Sequence, residues 1–243
     1  MSSTGKRALV TGGSGGIGAA LCRRLARDGH HVYVHAHRGV AAAAALVQEI
    51  TASGGEAEAI CFDITDAPAV GAALAGALES GPIQILVNNA GVHDDAVLPG
   101  MSAAQWHHVI DVSVNGFFNT TQPLLLPMIR TRWGRIVNVS SIAGLIGNKG
   151  QVNYAAAKGA LNAAAKALAL ELATRGVTVN AVAPGIIGTP MTAGRFDAEA
   201  IERLVPMNRM GQPEEVASVV SFLTSPEASY VTAQVISVSG GMA

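Results

Sequence analysis

Tyr154 and Lys158 are the residues whose types and spacing most directly suggest chemistry. They lie four positions apart in the alanine-rich segment 153–158, whose helix propensity places them one turn apart on one helix face. A lysine ammonium beside a phenol favours the phenolate and lowers a tyrosine pKa that is about 10 in water. Such a tyrosine can act as an acid or base near neutral pH. The alternative is a tyrosine packed in the core and a lysine that solvates an exposed face.

A glycine-rich turn near the N-terminus is a second candidate site. The apolar run 7–11 predicts a buried strand, and a helical pattern begins at Gly16. A strand, a glycine turn and a helix N-terminus form an anion site, because free backbone N–H groups and the positive end of the helix dipole face the same point. Two patterns overlap there: GxGxxG from Gly13, Gly15 and Gly18, and TGxxxGxG from Thr11, Gly12, Gly16 and Gly18. An ordinary solvated turn is the alternative.

Strand-like and helix-like segments alternate along the whole chain. Apolar runs predict strands at 7–11, 31–36, 57–62, 83–88, 134–140, 177–183 and 233–238. The intervening patterns predict helices at 16–28, 40–53, 67–79, 102–130, 152–174 and 213–224. This alternation predicts an α/β fold: a Rossmann-type, doubly wound parallel sheet of about seven strands with helices on both faces. Ligands of such sheets bind beyond the carboxyl ends of the strands, where both candidate sites fall.

Composition narrows the classes of protein to consider. The 243 residues are 49% hydrophobic, enough for one large core, so a single domain over 1–243 is expected. A net charge of −1 predicts binding of neither nucleic acid nor an anionic membrane. The start of the chain carries no apolar leader, and no run of about 18 apolar residues follows, so a cytoplasmic protein is expected.

Cysteines and histidines do not predict a metal site. Cys22 and Cys61 fall in apolar settings and are expected to be buried free thiols. His35 with His37, and His107 with His108, resemble ligand pairs, but neither pair gathers four ligands and no CxxC or HExxH motif accompanies them.

The order of the motifs identifies a family. The chain carries Thr11-Gly12-x-x-x-Gly16-x-Gly18, then Asp63, Asn88-Asn89-Ala90-Gly91, Ser141, Tyr154-x-x-x-Lys158 and Pro184-Gly185. In this order and spacing it resembles the classical short-chain dehydrogenase/reductase family over essentially its whole length. Within the family, segments 153–158 and 176–185 are most similar to those of the β-ketoacyl-acyl-carrier-protein reductases.

The resemblance implies reversible hydride transfer between a nicotinamide and a carbonyl carbon. Ser141 would hydrogen-bond the carbonyl oxygen, Tyr154 would deliver the proton, and Lys158 would bind the nicotinamide ribose and lower the tyrosine pKa. The family also uses a helical asparagine that holds a relay water, and counting without gaps puts Ser113 in its place. Asn115 is two positions away, on nearly the opposite face of a regular helix, and replaces it only where the helix is distorted.

NADP(H) is the cofactor that these residues favour. NAD sites place an acidic residue about 20 residues beyond the glycine turn; Ala36 stands there, and Arg38 can pair with a 2′-phosphate. The family's basic residue inside the turn is replaced by Gly15. The resemblance implies further cofactor contacts at Gly12, Ser14, Gly15, Gly16, Ile17, Gly18, Asp63, Ile64, Asn89, Ala90, Gly91, Pro184, Gly185, Ile187 and Thr189, besides Tyr154 and Lys158.

The partners are also implied by the resemblance. Arg132 and Arg175 match basic residues that grip an acidic acyl carrier protein near the active-site mouth; the alternative is that both arginines interact with a helix dipole. A homotetramer and a lid over about 186–212 are implied as well. The alternatives are another NAD(P)-dependent alcohol, sugar or steroid dehydrogenase of the family, or a non-catalytic dinucleotide-binding subunit.

Overall fold

The described residues build a seven-stranded parallel sheet. The structure is a computed structural model that describes residues 5–243. Its strands are β1 Arg7–Val10, β2 His31–Ala36, β3 Glu56–Cys61, β4 Ile85–Asn88, β5 Gly134–Val139, β6 Val177–Pro184 and β7 Val235–Val238, in the order β3-β2-β1-β4-β5-β6-β7. The predicted α/β doubly wound fold is therefore confirmed. Met1–Thr4, part of the segment used to argue against a leader, lie outside the described residues.

Helices cover both faces of the sheet. They are α1 Gly16–Arg27, α2 Val40–Ala52, α3 Ala67–Glu79, α4 Ala103–Ile110, α5 Gly116–Thr131, α6 Ala143–Ile146, α7 Val152–Leu172, α8 Ala198–Leu204 and α9 Pro213–Thr224. No helix in the described part of the chain is both long and apolar enough to cross a membrane.

Each strand contributes side chains to two separate cores. Leu9 and Ile136 belong to the core on the side of α3, α5 and α7, whereas their neighbours Val10 and Val137 belong to the core on the side of α1, α2 and α9. This division follows from the two-residue period of a strand. Strands β5 and β6 are buried along their whole length, as expected for a sheet covered on both faces.

The chain reverses direction across the sheet between β1 and β4. It runs outward from β1 to β2 and β3, and then returns to β4, which pairs with β1 on the other side. The loops after β1 and β4 therefore diverge and leave a crevice at the carboxyl edge, the usual ligand site of this class of sheet.

Three sequence expectations need correction. The predicted helix 102–130 is interrupted by a π-helical turn, Asp111–Asn115, between α4 and α5. Cys61 is exposed and not buried, because β3 is an edge strand whose side chains are largely accessible, while Cys22 is buried as expected. The last strand begins at Val235, two residues later than predicted, because Ala233 takes a φ of +60°.

Candidate active site

The structure favours the TGxxxGxG pattern in the glycine turn. Gly12 and Gly16 have φ angles of +62° and +50°, a region that disfavours other residues, and a Cβ on Gly18 would lie 2.1 Å from the carbonyl oxygen of Gly12. Gly15, by contrast, is extended and a Cβ there would meet open space. Since no side chain of residues 5–243 caps α1, its first backbone N–H groups are available to bind an anion.

Two hydrogen-bond networks fix this turn to the neighbouring strands. The Thr11 hydroxyl accepts bonds from the backbone N–H groups of Asn89 and Ala90, both at 3.0 Å. The Asn89 amide nitrogen in turn donates to the carbonyl oxygens of Thr11 and Gly12, at 2.9 and 3.1 Å. These bonds tie the loops after β1 and β4 to each other at the crevice between the two strands.

His35 holds the same turn from the side of β2, a role that the sequence did not reveal. Its ring is buried, Nδ1 accepts the backbone N–H of Gly12 at 3.0 Å, and Nε2 lies 3.0 Å from the carbonyl oxygen of Phe62. Burial lowers the pKa of His35 to about 4, so the imidazole is neutral and donates from Nε2. Both nitrogens are occupied, and His35 is thus a structural residue of the cofactor crevice.

The cleft at the carboxyl edge brings the expected residues together. It has a volume of about 380 Å³ and lies between the glycine turn, the ends of β4 and β5, and the N-terminal part of α7. Most of the predicted cofactor and catalytic residues line it: Gly12, Gly15, Gly16, Ile17, Gly18, Asn89, Ala90, Gly91, Ser141, Tyr154, Lys158, Pro184, Gly185, Ile187 and Thr189. Val139, Ser140, Pro190, Met191 and Thr192 complete the wall and were not predicted.

Lys158 is buried and held at the floor of the cleft. It is 3% exposed, and its Nζ donates to the carbonyl oxygen of Val139 at 2.8 Å. An ammonium has three donors, so two remain for a ligand. A Cβ on Gly91 would lie 3.0 Å from Nζ, which explains the glycine there. Burial lowers the pKa of Lys158 to about 8.

Tyr154 lies one turn before Lys158, and its pKa differs from the sequence expectation. Nζ is 5.6 Å from the centre of the phenol ring. The pKa of Tyr154 is raised and not lowered, because burial disfavours the phenolate and the Asp95 carboxylate adds to this, while the Ser141 hydroxyl acts in the opposite direction. The phenol is therefore protonated at neutral pH, the form that can give a proton to a carbonyl oxygen.

Ser113 is the buried residue of the π-helical turn. It is 3% exposed, and among residues 5–243 its hydroxyl has no hydrogen-bond partner. Asn115 is exposed, and its amide donates to the Asp111 carboxylate at 2.7 Å. The turn packs against α7, the helix of Tyr154 and Lys158, although Ser113 does not line the cleft itself.

Four predicted cofactor residues lie outside the cleft wall. Ser14, Arg38 and Asp63 cluster at its outer end. The Ser14 hydroxyl lies 3.1 Å from a Cβ built on Gly39, the residue after Arg38. The pKa of Asp63 is lowered mainly by hydrogen bonds from Thr65, and Arg38 contributes to the lowering. Ile64 is the fourth of these residues, and its contact with the cofactor stays a prediction. Its side chain is buried against Gly116 of α5, where a Cβ would lie 2.9 Å away, because a large apolar residue gains more from the core than from the surface.

Arg132 and Arg175 are close together but at the opposite edge of the sheet. Arg132 ends α5, and its guanidinium donates to the Thr174 carbonyl oxygen at 3.3 Å, next to Arg175. Strand β5, about 20 Å long, separates this edge from Ser141. The expectation that the pair lies near the active-site mouth is therefore wrong for the chain's own cleft, because helices α5 and α7 both end at the amino edge of the sheet.

Comparisons with known proteins agree with this geometry. A family model described as short chain dehydrogenase matches residues 6–200. A 3-oxoacyl-[acyl-carrier-protein] reductase of a Synechocystis strain is 45% identical over 241 residues, which cover 98% of this chain and 97% of the relative. A 3-oxoacyl-[acyl-carrier-protein] reductase FabG of Aggregatibacter actinomycetemcomitans is 42% identical, with 96% and 98% covered. Nodulation protein G of Azospirillum brasilense is 44% identical, with 98% of each chain covered.

Proposed function

Because this chain belongs to the short chain dehydrogenase family, we propose that it reduces 3-oxoacyl thioesters, carried on acyl carrier protein, with NADPH. The chain is an oxidoreductase for a ketone–alcohol pair, and its cofactor is a nicotinamide dinucleotide. The observation that carries the proposal is the convergence of Ser141, Tyr154 and Lys158 in one cleft with the glycine turn. The substrate follows the names of relatives that share 41–45% of their residues over nearly the whole chain.

The cleft fits a dinucleotide. A side chain on Gly12, Gly16 or Gly18 would collide with the turn or strain it, so the backbone at this point is bare and faces the N-terminus of α1. That surface suits a pyrophosphate. At the outer end, Arg38 is exposed and has no ion pair among the described residues, which leaves its guanidinium for a 2′-phosphate.

The chain's own residues would then move the proton. The bound nicotinamide supplies the hydride. Ser141 orients the carbonyl oxygen by a hydrogen bond, and Tyr154, protonated because its pKa is raised, donates to that oxygen. Lys158 holds the ribose with the donors that Val139 leaves free. The unpartnered hydroxyl of buried Ser113 is a suitable anchor for a water behind α7 that refills the proton.

A homo-oligomer, expected to be a tetramer, is part of the same proposal. Phe118 and Leu126 of α5 are 63% and 61% exposed, and Leu170 of α7 is 79% exposed. Large apolar side chains on two neighbouring helices are typical of a surface that another subunit covers. Ala163 and Ala167 lie exposed on the same helix as Leu170, and small residues there permit close approach of a second helix.

The position of Arg132 and Arg175 fits this assembly. If these arginines grip an acidic carrier, its acyl group cannot enter the cleft at the far end of the same sheet without crossing the length of β5. It would instead enter the cleft of another copy. Oligomerisation and carrier recognition are therefore linked in this proposal.

One assay tests the proposed reaction. Reduction of a 3-oxoacyl group is measured on carrier protein and on coenzyme A, each with NADPH and with NADH. Oxidation of a free alcohol is measured in the reverse direction, with NADP⁺ and with NAD⁺. The proposal predicts the highest kcat/KM for the carrier-linked substrate with NADPH. Turnover of alcohols or sugars without thioester reduction would contradict it and favour a different dehydrogenase of the family. Tyr154→Phe should abolish turnover while NADPH still binds, because it removes only the proton donor.

A further inference from the structure

The Asp95 carboxylate joins the loop after β4 to the start of the catalytic helix. The Gln151 amide nitrogen, one residue before α7, donates to both carboxylate oxygens, at 3.0 and 3.1 Å. A backbone hydrogen bond from Ala96 to the Gly150 carbonyl oxygen, 2.9 Å long, runs beside this contact. Asp95 is therefore tied to Gln151, which lies three residues before Tyr154.

The same carboxylate reaches the lid over the cleft. Arg195, at the tip of the lid segment 186–212, places Nη1 3.5 Å from Asp95 Oδ2. Within residues 5–243, the hydrogen bonds of 190–200 stay inside the lid, as in the bonds from Ala193 to Thr189 and from Arg195 to Thr192. The ion pair is thus the polar connection that this structure shows between the lid tip and the body of the protein.

We propose that Asp95 is a positioning residue that latches the lid, through Arg195, to the helix that carries Tyr154 and Lys158. This inference rests on the proposed reductase function, because a lid over the cleft matters only if cofactor and substrate bind there. The latch is defined by its geometry: the Gln151 amide nitrogen donates to both carboxylate oxygens, and Arg195 Nη1 approaches Oδ2 from the lid. The neighbouring Asp94 carboxylate accepts instead from the Gln105 amide nitrogen, at 2.8 Å.

The charges around the latch give it a second effect, on the proton donor. His93 Nδ1 lies 3.4 Å from the carboxylate, and Arg195 faces it from the lid. Asp95 raises the pKa of Tyr154, whose ring centre lies 5.6 Å from Lys158 Nζ. Arg195 offsets part of the Asp95 charge when the latch is closed. Loss of the carboxylate should therefore lower the pKa of Tyr154, and loss of the arginine should raise it.

Hydrogen–deuterium exchange of the lid tests the latch in the NADPH-bound protein without any turnover. In Asp95→Asn the amide still accepts from Gln151 but no longer pairs with Arg195, and in Arg195→Met the partner charge is removed. Each change should speed exchange of the 190–196 amides about two- to fivefold, the effect of a partly exposed ion pair. The double variant should exchange no faster than either single variant, because each substitution already removes the same ion pair. Asp94→Asn is the matched control and should leave lid exchange unchanged.

The pH dependence of reduction tests the effect on Tyr154. The alkaline limb of the kcat profile should move to lower pH in Asp95→Asn and to higher pH in Arg195→Met. A purely structural role would not shift the two limbs in opposite directions. Lid exchange that is unchanged in Asp95→Asn, or that is equally fast in Asp94→Asn, would overturn the latch. Because exchange is measured on cofactor-bound protein, this result is independent of which ketone the protein reduces.

Discussion

Ser113 and Asn115 lie two residues apart in one π-helical turn, Ser113 buried with an unpartnered hydroxyl and Asn115 exposed and bonded to Asp111. The distortion that could have brought Asn115 to the family's asparagine position is present, yet it is Ser113 that points inward. A π turn widens the backbone ladder and is frequent at functional sites. Ser113 is therefore the residue of this pair that we propose for the relay position.

Ser113→Ala should separate stability from catalysis. Because the Ser113 hydroxyl bonds to no other group of residues 5–243, its removal should change the free energy of unfolding by no more than about 1 kcal/mol. If the hydroxyl holds the relay water, kcat should fall measurably in the same variant. Denaturant unfolding and steady-state kinetics measure the two effects. Ser113→Asn should retain or increase kcat, because an amide can hold the same water.

Asn115→Ala is the control for this pair. Its side chain is exposed and bonds only to Asp111 in the same turn, so its loss should change kcat less than the loss of the Ser113 hydroxyl. A larger loss of kcat in Asn115→Ala than in Ser113→Ala would show that Asn115 is the fourth catalytic residue and that the turn rearranges in the working enzyme.

Arg38→Ala should weaken NADPH use far more than NADH use. The guanidinium has no carboxylate partner within 4 Å in the described residues, and Ala36 leaves no acidic group to hold a ribose hydroxyl. A charge-assisted hydrogen bond contributes about 1.5–3 kcal/mol, which corresponds to a rise of about 10- to 100-fold in KM for NADPH. Arg130→Ala, on an exposed arginine at the other edge of the sheet, should leave both KM values unchanged. Equal losses for both cofactors would contradict the assignment.

The sequence predicted the parts of this site that depend on backbone pattern. The glycine turn, the parallel sheet of about seven strands and the position of Tyr154 one turn before Lys158 follow from periodicity and motif spacing, which act within one element or between adjacent ones. Cys61 was misjudged because its burial depends on which strand lies at the edge of the sheet. The pKa of Tyr154 was misjudged in direction because burial, a property of the folded cleft, outweighs a lysine whose Nζ lies 5.6 Å from the ring centre.

His35 and Asp95 show what spacing alone does not reveal. His35 was considered only as a metal ligand, whereas its two nitrogens bond to Gly12 and Phe62, residues 23 and 27 positions away. Asp95 meets Gln151 and Arg195, which are 56 and 100 residues later in the chain. Such polar contacts arise from the arrangement of loops at the carboxyl edge, and no local pattern encodes them.

NADPH binding to the free protein should weaken as the pH rises through about 8. Burial lowers the pKa of Lys158 to about 8, so the side chain is an ammonium below that pH and a neutral amine above it. The anionic cofactor loses a cation as the proton leaves, and the ribose loses charge-assisted donors. Fluorescence titration between pH 6.5 and 9.5 should show this inflection in the unchanged protein. Lys158→Met should bind weakly at every pH with no inflection near 8.

The lowered pKa of Lys158 affects the stability of the fold in the opposite direction: a rise in pH that weakens NADPH binding should stabilise the folded protein. A lysine normally near 10.5 is still protonated in the unfolded chain between pH 8 and 10.5, whereas Lys158 in the folded protein has lost its proton. The unfolded state then binds more protons, so the contribution of Lys158 to the free energy of unfolding rises with pH over this interval. Comparison of unfolding at pH 8 and 10 in the unchanged protein and in Lys158→Met isolates this contribution. A steeper fall for the unchanged protein would contradict the lowered pKa.

Charge reversal at Arg132 or Arg175 should distinguish carrier recognition from support of the fold. Both arginines lie at the amino edge of the sheet, a strand length from Ser141, so neither can touch the reacting carbonyl of the same chain. Arg132→Glu and Arg175→Glu should lower kcat/KM on carrier-linked substrate and change it little on the coenzyme A thioester. The loss should shrink with added salt, because exposed charges are screened over about 8–10 Å. Arg27→Glu, on the exposed end of α1, is the matched control and should affect neither substrate. Equal losses on both thioesters would show that the arginines support the helix ends, where Arg132 donates to the Thr174 carbonyl oxygen.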